Sequence, residues 1–506
     1  MEKRLFTAIA LSLVVLLSWS ALVSQKQHLE NKAVTSPNII SPAAQATQIV
    51  VPQVKTQESV PLAVFKFAQP KYDIVFIESQ AAIKEIVFKT YQNSVFPLKR
   101  GFLFGDGNLV FQKGATTENS IEFVHRDQDK QIVKQFIFSN TNYGIELQIN
   151  VQNLSDSSIN VNVPLVAGDL SLNGDQTEAR LRDGIFVSND KLLHLNLQKN
   201  ASLEEIKFLG FRDRYFCALV EPALKNCTAF LKKIDSTESE ISLNAKELTL
   251  GPGQQTQLKF HIYLGPQELQ QISKIQPEWT GVMYYGTFDF IAHMLLRLLD
   301  FVFSLVHNWG VAIVILSVLM YLILYPLTLK QMRSMKQMQA LQPRIEELRS
   351  AYKDNPQKLN TEIMALYKEY KVNPFSGCLP LVLQMPIFFA LYQVLIRSVA
   401  FKGARFLWIK DLSLPDRLFM LPVSIPLLGN EVNLLPILMT IGMFVQQKTS
   451  MAATSTGSAE QQKLMMILFP LMFGFIFYRM PSGLVLYWFV NSALMLFYQL
   501  RINKQK

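Results

Sequence analysis

The chain has 506 residues and a formal net charge of +10, and 49% of its residues are apolar while only 17% are charged. A soluble protein carries about a quarter charged residues, so this composition argues against a wholly soluble protein. The apolar excess lies before Val23 and after Trp309, whereas the long middle has an ordinary composition. This distribution indicates a membrane protein with a large soluble insert.

Sequence motifs of enzymes are missing. The chain contains no phosphate-binding Gly-rich loop, no His-Glu-x-x-His and no nucleophile elbow. Its six histidines are scattered without the spacing of metal ligands, and its three cysteines are too few for a disulfide scaffold. We therefore predict no catalytic residue, no metal site and no cofactor.

The first predicted element is an apolar stretch, Leu5–Val23, that follows two basic residues. It has about the ~20 residues needed to span a bilayer. A cleaved signal peptide begins in a similar way, but no clean small-residue cleavage site closes this stretch. Residues 1–23 are therefore predicted to be an uncleaved transmembrane anchor, and the Gln-, Ser- and Pro-rich residues 24–62 a flexible linker.

The pattern changes at residues 63–286 to short alternating apolar runs, separated by turn signals such as Gly251-Pro252-Gly253. Many short strands at this spacing predict an antiparallel β-sandwich domain. Cys217 and Cys227 lie within it. Outside the cytoplasm they are free to form a disulfide bridge, and the alternative is two buried free thiols.

A helical period follows at 287–307, where Asp289, His293, Arg297 and Asp300 interrupt the apolar residues. These charges make a membrane span unfavourable, so we predict an amphipathic helix on the membrane surface. Five further apolar segments complete six predicted transmembrane helices. Their predicted ranges are 308–327, 374–398, 434–447, 464–480 and 481–500.

The loops set the predicted orientation. Residues 328–373 hold nine Lys or Arg against five Asp or Glu, and the tail 501–506 is basic. The positive-inside rule places both termini and the 328–373 and 448–463 loops in the cytoplasm. The fold class is therefore a polytopic α-helical membrane protein with a large periplasmic antiparallel β-sandwich domain, and 399–433 is a periplasmic loop. The cytoplasmic charge reflects topology alone, or also contact with membrane lipids or a ribosome.

The 328–373 loop contains a predicted helical hairpin. Apolar residues recur three and four positions apart on both sides of Asp354-Asn355-Pro356, a strong turn signal. This spacing predicts two antiparallel helices on a coiled-coil-like seam. The hairpin is either a mobile arm that receives partners or a structural connection. The seam residues are Leu341, Ile345, Leu348, Leu359, Ile363 and Leu366.

Polar residues inside the apolar segments form the candidate site. Polar groups in lipid prefer a bundle interior or a wet cavity, because unsatisfied polar groups in hydrocarbon are costly. They either enclose a hydrophilic groove or make ordinary interhelical hydrogen bonds. The groove candidates are Ser317, Tyr321, Gln384, Thr440, Gln447, Tyr487 and Asn491.

Several ordered runs after residue 307 resemble the membrane core of the YidC/Oxa/Alb family of membrane protein insertases, in its six-span Gram-negative form. The β domain matches that family only by position and pattern. The runs that carry the resemblance are Asn308-Trp309-Gly310, Tyr325-Pro326-Leu327-Thr328, Leu341-Gln342-Pro343, Gln384-Met385-Pro386-Ile387-Phe388 and Pro481-Ser482-Gly483-Leu484.

The resemblance implies a bacterial inner-membrane protein that helps nascent membrane proteins enter the bilayer, alone or with the Sec translocon, and that cooperates with ribosomes. It also implies a groove open to the cytoplasm and to lipid, and a β domain similar to sugar mutarotases but without catalysis. One residue departs from the family. The usual arginine four positions before the Tyr-Pro of the second span is Tyr321 here.

Two other classes of protein compete with this interpretation. A secondary transporter predicts internal repeats and broken helices with a site at mid-membrane, and the sequence has neither a repeated half nor a buried ionisable cluster. A periplasmic sugar-modifying enzyme predicts a cluster of carboxylates or histidines among the strands, and would need one membrane anchor only. Five further apolar segments argue against it.

Overall fold

The computed structural model has a β-rich region followed by a helical region, which also carries one short β-hairpin. The anchor predicted at 1–23 and the linker predicted at 24–62 lie outside the described residues. The structure describes residues 63–105, 108–171, 176–224, 226–353, 355–372, 379–425, 428–451 and 459–504.

Twenty strands are present in the described residues, and every pairing between them is antiparallel. The strands are β1 Val64–Ala68, β2 Tyr72–Ile77, β3 Ala82–Phe88, β4 Ser94–Gly101, β5 Leu103–Phe104, β6 Gln112–Thr116, β7 Ser120–Arg126, β8 Lys130–Phe138, β9 Gly144–Asn153, β10 Ile159–Ser171, β11 Asp183–Ser188, β12 Lys191–Leu195, β13 Ala201–Leu203, β14 Ile206–Arg212, β15 Phe216–Pro222, β16 Thr228–Lys233, β17 Glu238–Leu250, β18 Gln255–Pro266, β19 Phe419–Ile425 and β20 Gly429–Val432.

Three sheets make up the β domain, in the orders β1-β2-β3-β4, β13-β16-β17-β10-β5 and β12-β11-β14-β15-β18-β9-β8-β7-β6. Aromatic side chains join them. Phe88 of β3 stacks on Phe216 of β15 with ring centroids 4.3 Å apart, and Phe76 of β2 lies 5.3 Å from Phe136 of β8. The four-stranded sheet thus packs face to face on the nine-stranded sheet, and the predicted antiparallel β domain is confirmed.

Local sequence explains the strands. Along β9 the residues alternate between buried and half-buried, so one face points into the core. The turn signal Gly251-Pro252-Gly253 joins β17 to β18, where Gly253 has φ +68° and the amide of Gln254 donates to the carbonyl of Gly251 at 3.0 Å. Positive φ favours glycine because a Cβ is strained there.

Ten α-helices are present in the described residues. Short 3₁₀ turns also occur, among them Pro277–Val282 and Val399–Phe401. The α-helices are α1 Gln176–Ala179, α2 Leu269–Ser273, α3 Asp289–Val306, α4 Trp309–Ala340, α5 Gln342–Ala351, α6 Pro356–Glu369, α7 Leu379–Arg397, α8 Leu434–Met451, α9 Ala459–Phe477 and α10 Ser482–Lys504.

Two described helical stretches, Trp309–Met338 and Ser482–Arg501, are long and apolar enough to cross a membrane. Val382–Arg397 and Ile467–Phe477 are shorter apolar helical stretches. The count of six spans therefore stays a prediction. The helix that contains the second predicted span does not end at residue 327, because α4 runs unbroken through Pro326 to Ala340.

Cys217 and Cys227 are both buried and free. Cys217 lies in β15 of the nine-stranded sheet, whereas Cys227 directly precedes β16 of the five-stranded sheet. Of the two alternatives that the sequence left open, the structure contains the free thiols, and no bridge joins the pair. Burial raises the pKa of both thiols, which makes them poor nucleophiles.

A buried ion pair ties the β domain to the chain that leads into the helices. The guanidinium of Arg212 donates to both carboxylate oxygens of Asp183, at 2.6 and 2.9 Å, and to the carbonyls of Val282 and Tyr284. His194 lies 3.0 Å from the same carboxylate. Only 2% of the Arg212 side chain is exposed. The Arg212 side chain thus holds residues 282–284, which precede α3, against the β domain.

A second junction joins the β domain to the segment after α7. Arg214 donates to the carbonyls of Ile396 and Ser413 at 2.8 and 2.7 Å, and the hydroxyls of Tyr215 and Ser413 lie 2.9 Å apart. A cavity of about 440 Å³ lies beside these contacts. Ser482, the first residue of α10, donates from its backbone amide to Leu414 in the same segment.

Candidate functional site

The long helices form a bundle around α10, which packs against α4, α7 and α8, while α9 packs on α8. Large apolar side chains point outward from four of these helices. Such extensive apolar exposure is unusual for a soluble protein and is typical of helices that face lipid. Examples are Ile323 of α4, Ile441 of α8, Leu471 of α9 and Phe497 of α10.

Three of the predicted groove residues meet between α7 and α10. The amide of Gln384 donates to the hydroxyl of Tyr487, and the amide of Asn491 donates to the carbonyl of Tyr487 at 2.9 Å. Tyr487 is fully buried, whereas Gln384 and Asn491 are half-buried. Gln384 and Asn491 therefore border a connected polar cluster inside an otherwise apolar bundle.

Two others satisfy their hydroxyls within their own helices. Ser317 donates to the carbonyl of Ile313 at 2.8 Å, and Thr440 donates to the carbonyl of Pro436 at 2.7 Å. Thr440 also faces α9, because a Cβ added to Gly474 would lie only 2.2 Å from its hydroxyl oxygen. The structure thus places Thr440 at a close approach between α8 and α9.

Tyr321 of α4 lies beside two other tyrosines. Its hydroxyl is buried and has no hydrogen-bond partner among the residues that the structure describes. Its ring centroid is 6.2 Å from that of Tyr325, which lies 5.4 Å from that of Tyr498 on α10. A buried hydroxyl without a protein partner is usually satisfied by water or by a bound group.

Tyr325 and Tyr498 are site residues that the sequence analysis missed. Their spacing contains the signal, since Tyr325 follows Tyr321 by four residues and Tyr498 follows Asn491 by seven. Positions four and seven apart share a helix face. One face of α10 therefore presents a line of polar groups, first toward α7 at Tyr487 and then toward α4 at Tyr498. Gln447, the remaining candidate, is half-buried on α8.

The predicted seam residues of the hairpin all lie in one apolar cluster between α5 and α6. The cluster also contains Met338, Tyr367 and Val372. The turn is capped by Asn355, whose side chain accepts from the amide of Lys358 at 3.1 Å. The six seam residues are Leu341, Ile345, Leu348, Leu359, Ile363 and Leu366.

Ile345→Asp is expected to open this hairpin. Ile345 is fully buried, and an unpaired carboxylate in its place costs about 2–5 kcal/mol. We expect faster protease cleavage within residues 341–370 and weaker function, with the membrane helices intact. The matched control is Ser350→Asp, which adds the same charge at an exposed position of α5. Equal protease resistance in the two variants would contradict the packing of α5 against α6 through Ile345.

Helix α3 coincides with the predicted amphipathic segment and has two apolar faces. One face, with Leu295, Leu299 and Val302, is buried, and α3 packs against α4 and α7. Phe290 and Leu305 are exposed on the other side. A helix that packs on the bundle and also exposes large apolar groups fits the membrane–water interface.

Within the described residues, no group of three or more His, Cys, Asp or Glu side chains could hold a metal ion. The predicted groove residues themselves are all neutral and polar. A bundle of apolar helices that carries a large antiparallel β domain and a polar line along its central helix defines a class, the helical membrane proteins with a soluble β domain.

Comparison with known proteins identifies the family. The model for the 60 kDa inner membrane protein matches residues 301–506, and that for the YidC periplasmic domain matches residues 106–298. Membrane protein insertase YidC of Geotalea daltonii is 31% identical over 552 residues, 100% of this chain and 99% of that protein. The chain belongs to the YidC family of membrane protein insertases.

Two further comparisons give similar proteins. Membrane protein insertase YidC of Francisella tularensis subsp. novicida is 34% identical over 386 residues, 72% of this chain and 66% of that protein. A crystal structure of an active YidC insertase with its first transmembrane domain resolved is 19% identical, with a TM-score of 0.42, and covers 86% of this chain and 92% of that one.

Proposed function

We propose that this chain is a membrane protein insertase of the inner membrane, which lowers the cost of moving polar segments of nascent proteins into the bilayer. A charge at mid-bilayer costs about 2.5–3.5 kcal/mol on insertion scales. A polar, hydrated path between helices shortens the hydrocarbon distance that such a group crosses. No nucleotide or cofactor is needed for this, and the function is not enzymatic.

The observation that carries this proposal is the polar line along α10, together with the hydroxyl of Tyr321, which has no hydrogen-bond partner within the described part of the chain. Neutral hydrogen-bonding groups inside the bundle hold water, and the apolar outer faces of the same helices leave room for the apolar segment of a substrate. Because Tyr321 stands where the family usually has arginine, hydration and neutral hydrogen bonds replace electrostatic capture here.

Site-directed photocrosslinking tests the groove. A crosslinker at Tyr321 is compared with one at Ile323, which is 65% exposed on the outside of the same helix. With a single-span substrate arrested during synthesis, we expect position 321 to crosslink to the polar tail of the substrate and position 323 to crosslink mainly to lipid. Tail crosslinks from position 323 alone would contradict the groove.

Tyr321→Phe is expected to be mild, because it removes a hydroxyl that has no partner among the described residues. Neutral hydrogen bonds contribute only about 0.5–1.5 kcal/mol each. Tyr321→Arg should be tolerated, since the long side chain can extend to water, and water then solvates the guanidinium cation. The assay is growth of an insertase-depleted strain that expresses each variant.

The control for this series is Leu316→Arg, because Leu316 is fully buried on the same helix. This variant should be degraded, since the charge meets packed apolar side chains. Degradation of Tyr321→Arg as well would show that position 321 is packed against protein and is not hydrated. Loss of all growth with Tyr321→Phe would give the hydroxyl a specific role.

The proposed topology places both termini and the α5–α6 hairpin in the cytoplasm and the β domain in the periplasm. Support comes from the basic 328–373 loop and tail. A cysteine in place of the exposed Val110 should react with an impermeant thiol reagent added from the periplasmic side, and one at the exposed Asn355 should not. The reverse pattern would refute this orientation.

The proposed partners follow from the same arrangement. Nascent membrane proteins occupy the groove, and the Sec translocon supplies those substrates that need it. The basic cytoplasmic hairpin and tail favour contact with ribosomes and with anionic membrane lipids. Replacing Arg501, Lys504 and Lys506 with glutamine removes the basic charge of the tail and keeps its length. Co-sedimentation with ribosomes tests the contact, and unchanged ribosome binding would assign that contact elsewhere.

A further inference from the structure

The β-hairpin formed by β19 and β20 lies between α7 and α8 and was not foreseen within the predicted loop 399–433. From Leu418 to Asn430 the sequence contains no ionisable side chain. Such a long uncharged stretch is unusual for a loop in water, because loops there are usually polar.

The apolar side chains of this hairpin are exposed. On β19 six of the seven residues are exposed, on both faces of the strand. Val423 is 70% exposed. A two-stranded hairpin is marginally stable in water on its own, and an exposed apolar strand edge there promotes aggregation. Contact with acyl chains would remove the cost of exposing these side chains to water, whereas the unpaired backbone groups of the strand edge need water or lipid headgroups as partners. Both needs are met at the boundary between headgroups and acyl chains. The large exposed apolar residues are Leu418, Phe419, Met420, Val423 and Ile425.

Polar contacts are concentrated at the base of the hairpin. Arg417 and Glu431 form an ion pair at 2.8 Å, and the hydroxyl of Tyr478 donates to the carbonyl of Glu431 at 2.7 Å. The amide side chain of Asn433 donates to the carbonyl of Tyr478 at 2.7 Å. These bonds hold the base between the start of α8 and the end of α9. The hairpin thus has a polar base and an apolar body.

The apolar surface continues from the hairpin along α8. On this helix Ile437, Ile441, Phe444 and Val445 are exposed. In a helix that crosses the bilayer, exposed apolar side chains contact acyl chains. The hairpin joins α8 at its first turn, so the surface on both sides of this junction is apolar. The same neighbour, lipid, accounts for both surfaces.

We propose that the β19–β20 hairpin lies at the boundary between the headgroups and the acyl chains of the outer leaflet. Its apolar side chains contact the acyl chains, and the Arg417–Glu431 pair lies among the headgroups. The hairpin acts as an anchor that holds the periplasmic ends of α8 and α9 at a fixed depth. The proposal goes beyond insertase activity and rests on one part of the proposed function, the assignment of α8 as a transmembrane helix.

Fluorescence quenching by doxyl-labelled lipids tests this location. An NBD fluorophore is attached to the cysteine of Val423→Cys in the full chain, which also carries Cys378→Ser. The labelled protein is reconstituted into vesicles of phosphatidylethanolamine and phosphatidylglycerol. The chain with Cys378→Ser alone shows how much label reaches the remaining cysteines. The matched control is Val110→Cys, because Val110 is a valine of similar exposure, 64%, in the β domain. Both native cysteines of the β domain are buried.

We expect the NBD emission at position 423 to be blue-shifted. A doxyl group placed shallowly in the lipid acyl chains should reduce this emission about twofold, as expected for groups about 5–10 Å below the membrane surface. Position 110 should keep its emission. A water-like, unquenched emission at position 423 would overturn the proposal. So would a blue shift without quenching by lipid, since it would place the hairpin against a protein partner or a second copy.

A label at a third position tests the membrane contact of the hairpin separately from the assignment of α8 as a transmembrane helix. Ile441→Cys lies on the exposed face of α8. Quenching at position 441 without quenching at position 423 overturns the anchor and leaves α8 in the membrane. Absence of quenching at both positions refutes the membrane assignment of α8 itself, together with the anchor that depends on it.

Discussion

Tyr487→Ala is expected to abolish most insertion of polar-tailed substrates. Tyr487 is fully buried in the second turn of α10, and its hydroxyl accepts a hydrogen bond from the amide of Gln384 on α7. Truncating a buried aromatic side chain costs about 3–5 kcal/mol, and here it also leaves the amide of Gln384 without its partner. Growth of a depleted strain and protease protection of a substrate measure the loss.

The companion variant Tyr487→Phe separates packing from hydrogen bonding. It keeps the ring and removes the hydroxyl, so the expected cost is about 1–3 kcal/mol, the penalty of an unsatisfied polar group. We expect reduced insertion with normal protein levels. Full activity in Tyr487→Ala, at normal protein levels, would show that the polar cluster between α7 and α10 has no part in insertion.

Arg212→Met is expected to destabilise the β domain by about 3–5 kcal/mol at neutral pH, because it leaves the carboxylate of Asp183 buried without its cation. Burial alone would raise the pKa of Asp183, but the charge of Arg212 and hydrogen bonds from His194 and Arg212 hold it well below its usual range. Thermal unfolding of the full chain measures the loss. The control is Lys207→Met, which breaks an exposed pair with Glu278 and should have little effect.

The pH dependence of this variant has a definite sign. In the native protein the pKa of Asp183 is lower when folded than when unfolded, so its contribution to stability is present above about pH 4 and is lost as the pH falls further. In Arg212→Met, burial instead raises the pKa of this carboxyl group, so protonation stabilises the fold. The difference in melting temperature between the two proteins should therefore narrow as the pH falls toward about 4, and should narrow further below it. A constant difference across pH would exclude Asp183 as its cause.

Local patterns in the sequence were enough to predict the β domain and the hairpin seam. The alternation along β9 and the 3–4 spacing around Ile345 depend on neighbours within a few residues, and the structure places these residues as those periods require. The Gly251-Pro252-Gly253 turn is equally local. Patterns of this kind need no knowledge of the tertiary fold.

Contacts between distant parts of the chain were beyond such reasoning. Arg214 bonds Ser413 nearly two hundred residues away, and no period in the sequence marks that pair. The β19–β20 hairpin was missed because an uncharged run with two prolines has no clear alternation. The free state of Cys217 and Cys227 also depends on which sheet each strand joins. Sequence separation alone left that question open.

The groove residues were in part predictable from local patterns and in part dependent on contacts between distant parts of the chain. Polar residues inside apolar segments were visible in the sequence, but their partners were not. Tyr487 and Gln384 bond each other, whereas Thr440 and Ser317 bond carbonyls of their own helices. A spacing argument assigns a residue to a helix face, and only the packing of the helices decides which element that face meets. Assignment of these residues to a hydrated groove stays a prediction.

Reconstitution of the purified chain into liposomes tests insertase activity most directly. A small single-span substrate that needs no Sec translocon is synthesised in the presence of the vesicles, and insertion is scored as a fragment protected from added protease. Proteoliposomes with the native chain should protect this fragment well above protein-free liposomes, and those with Tyr487→Ala should not. Equal protection in protein-free and native proteoliposomes would contradict insertion by this chain.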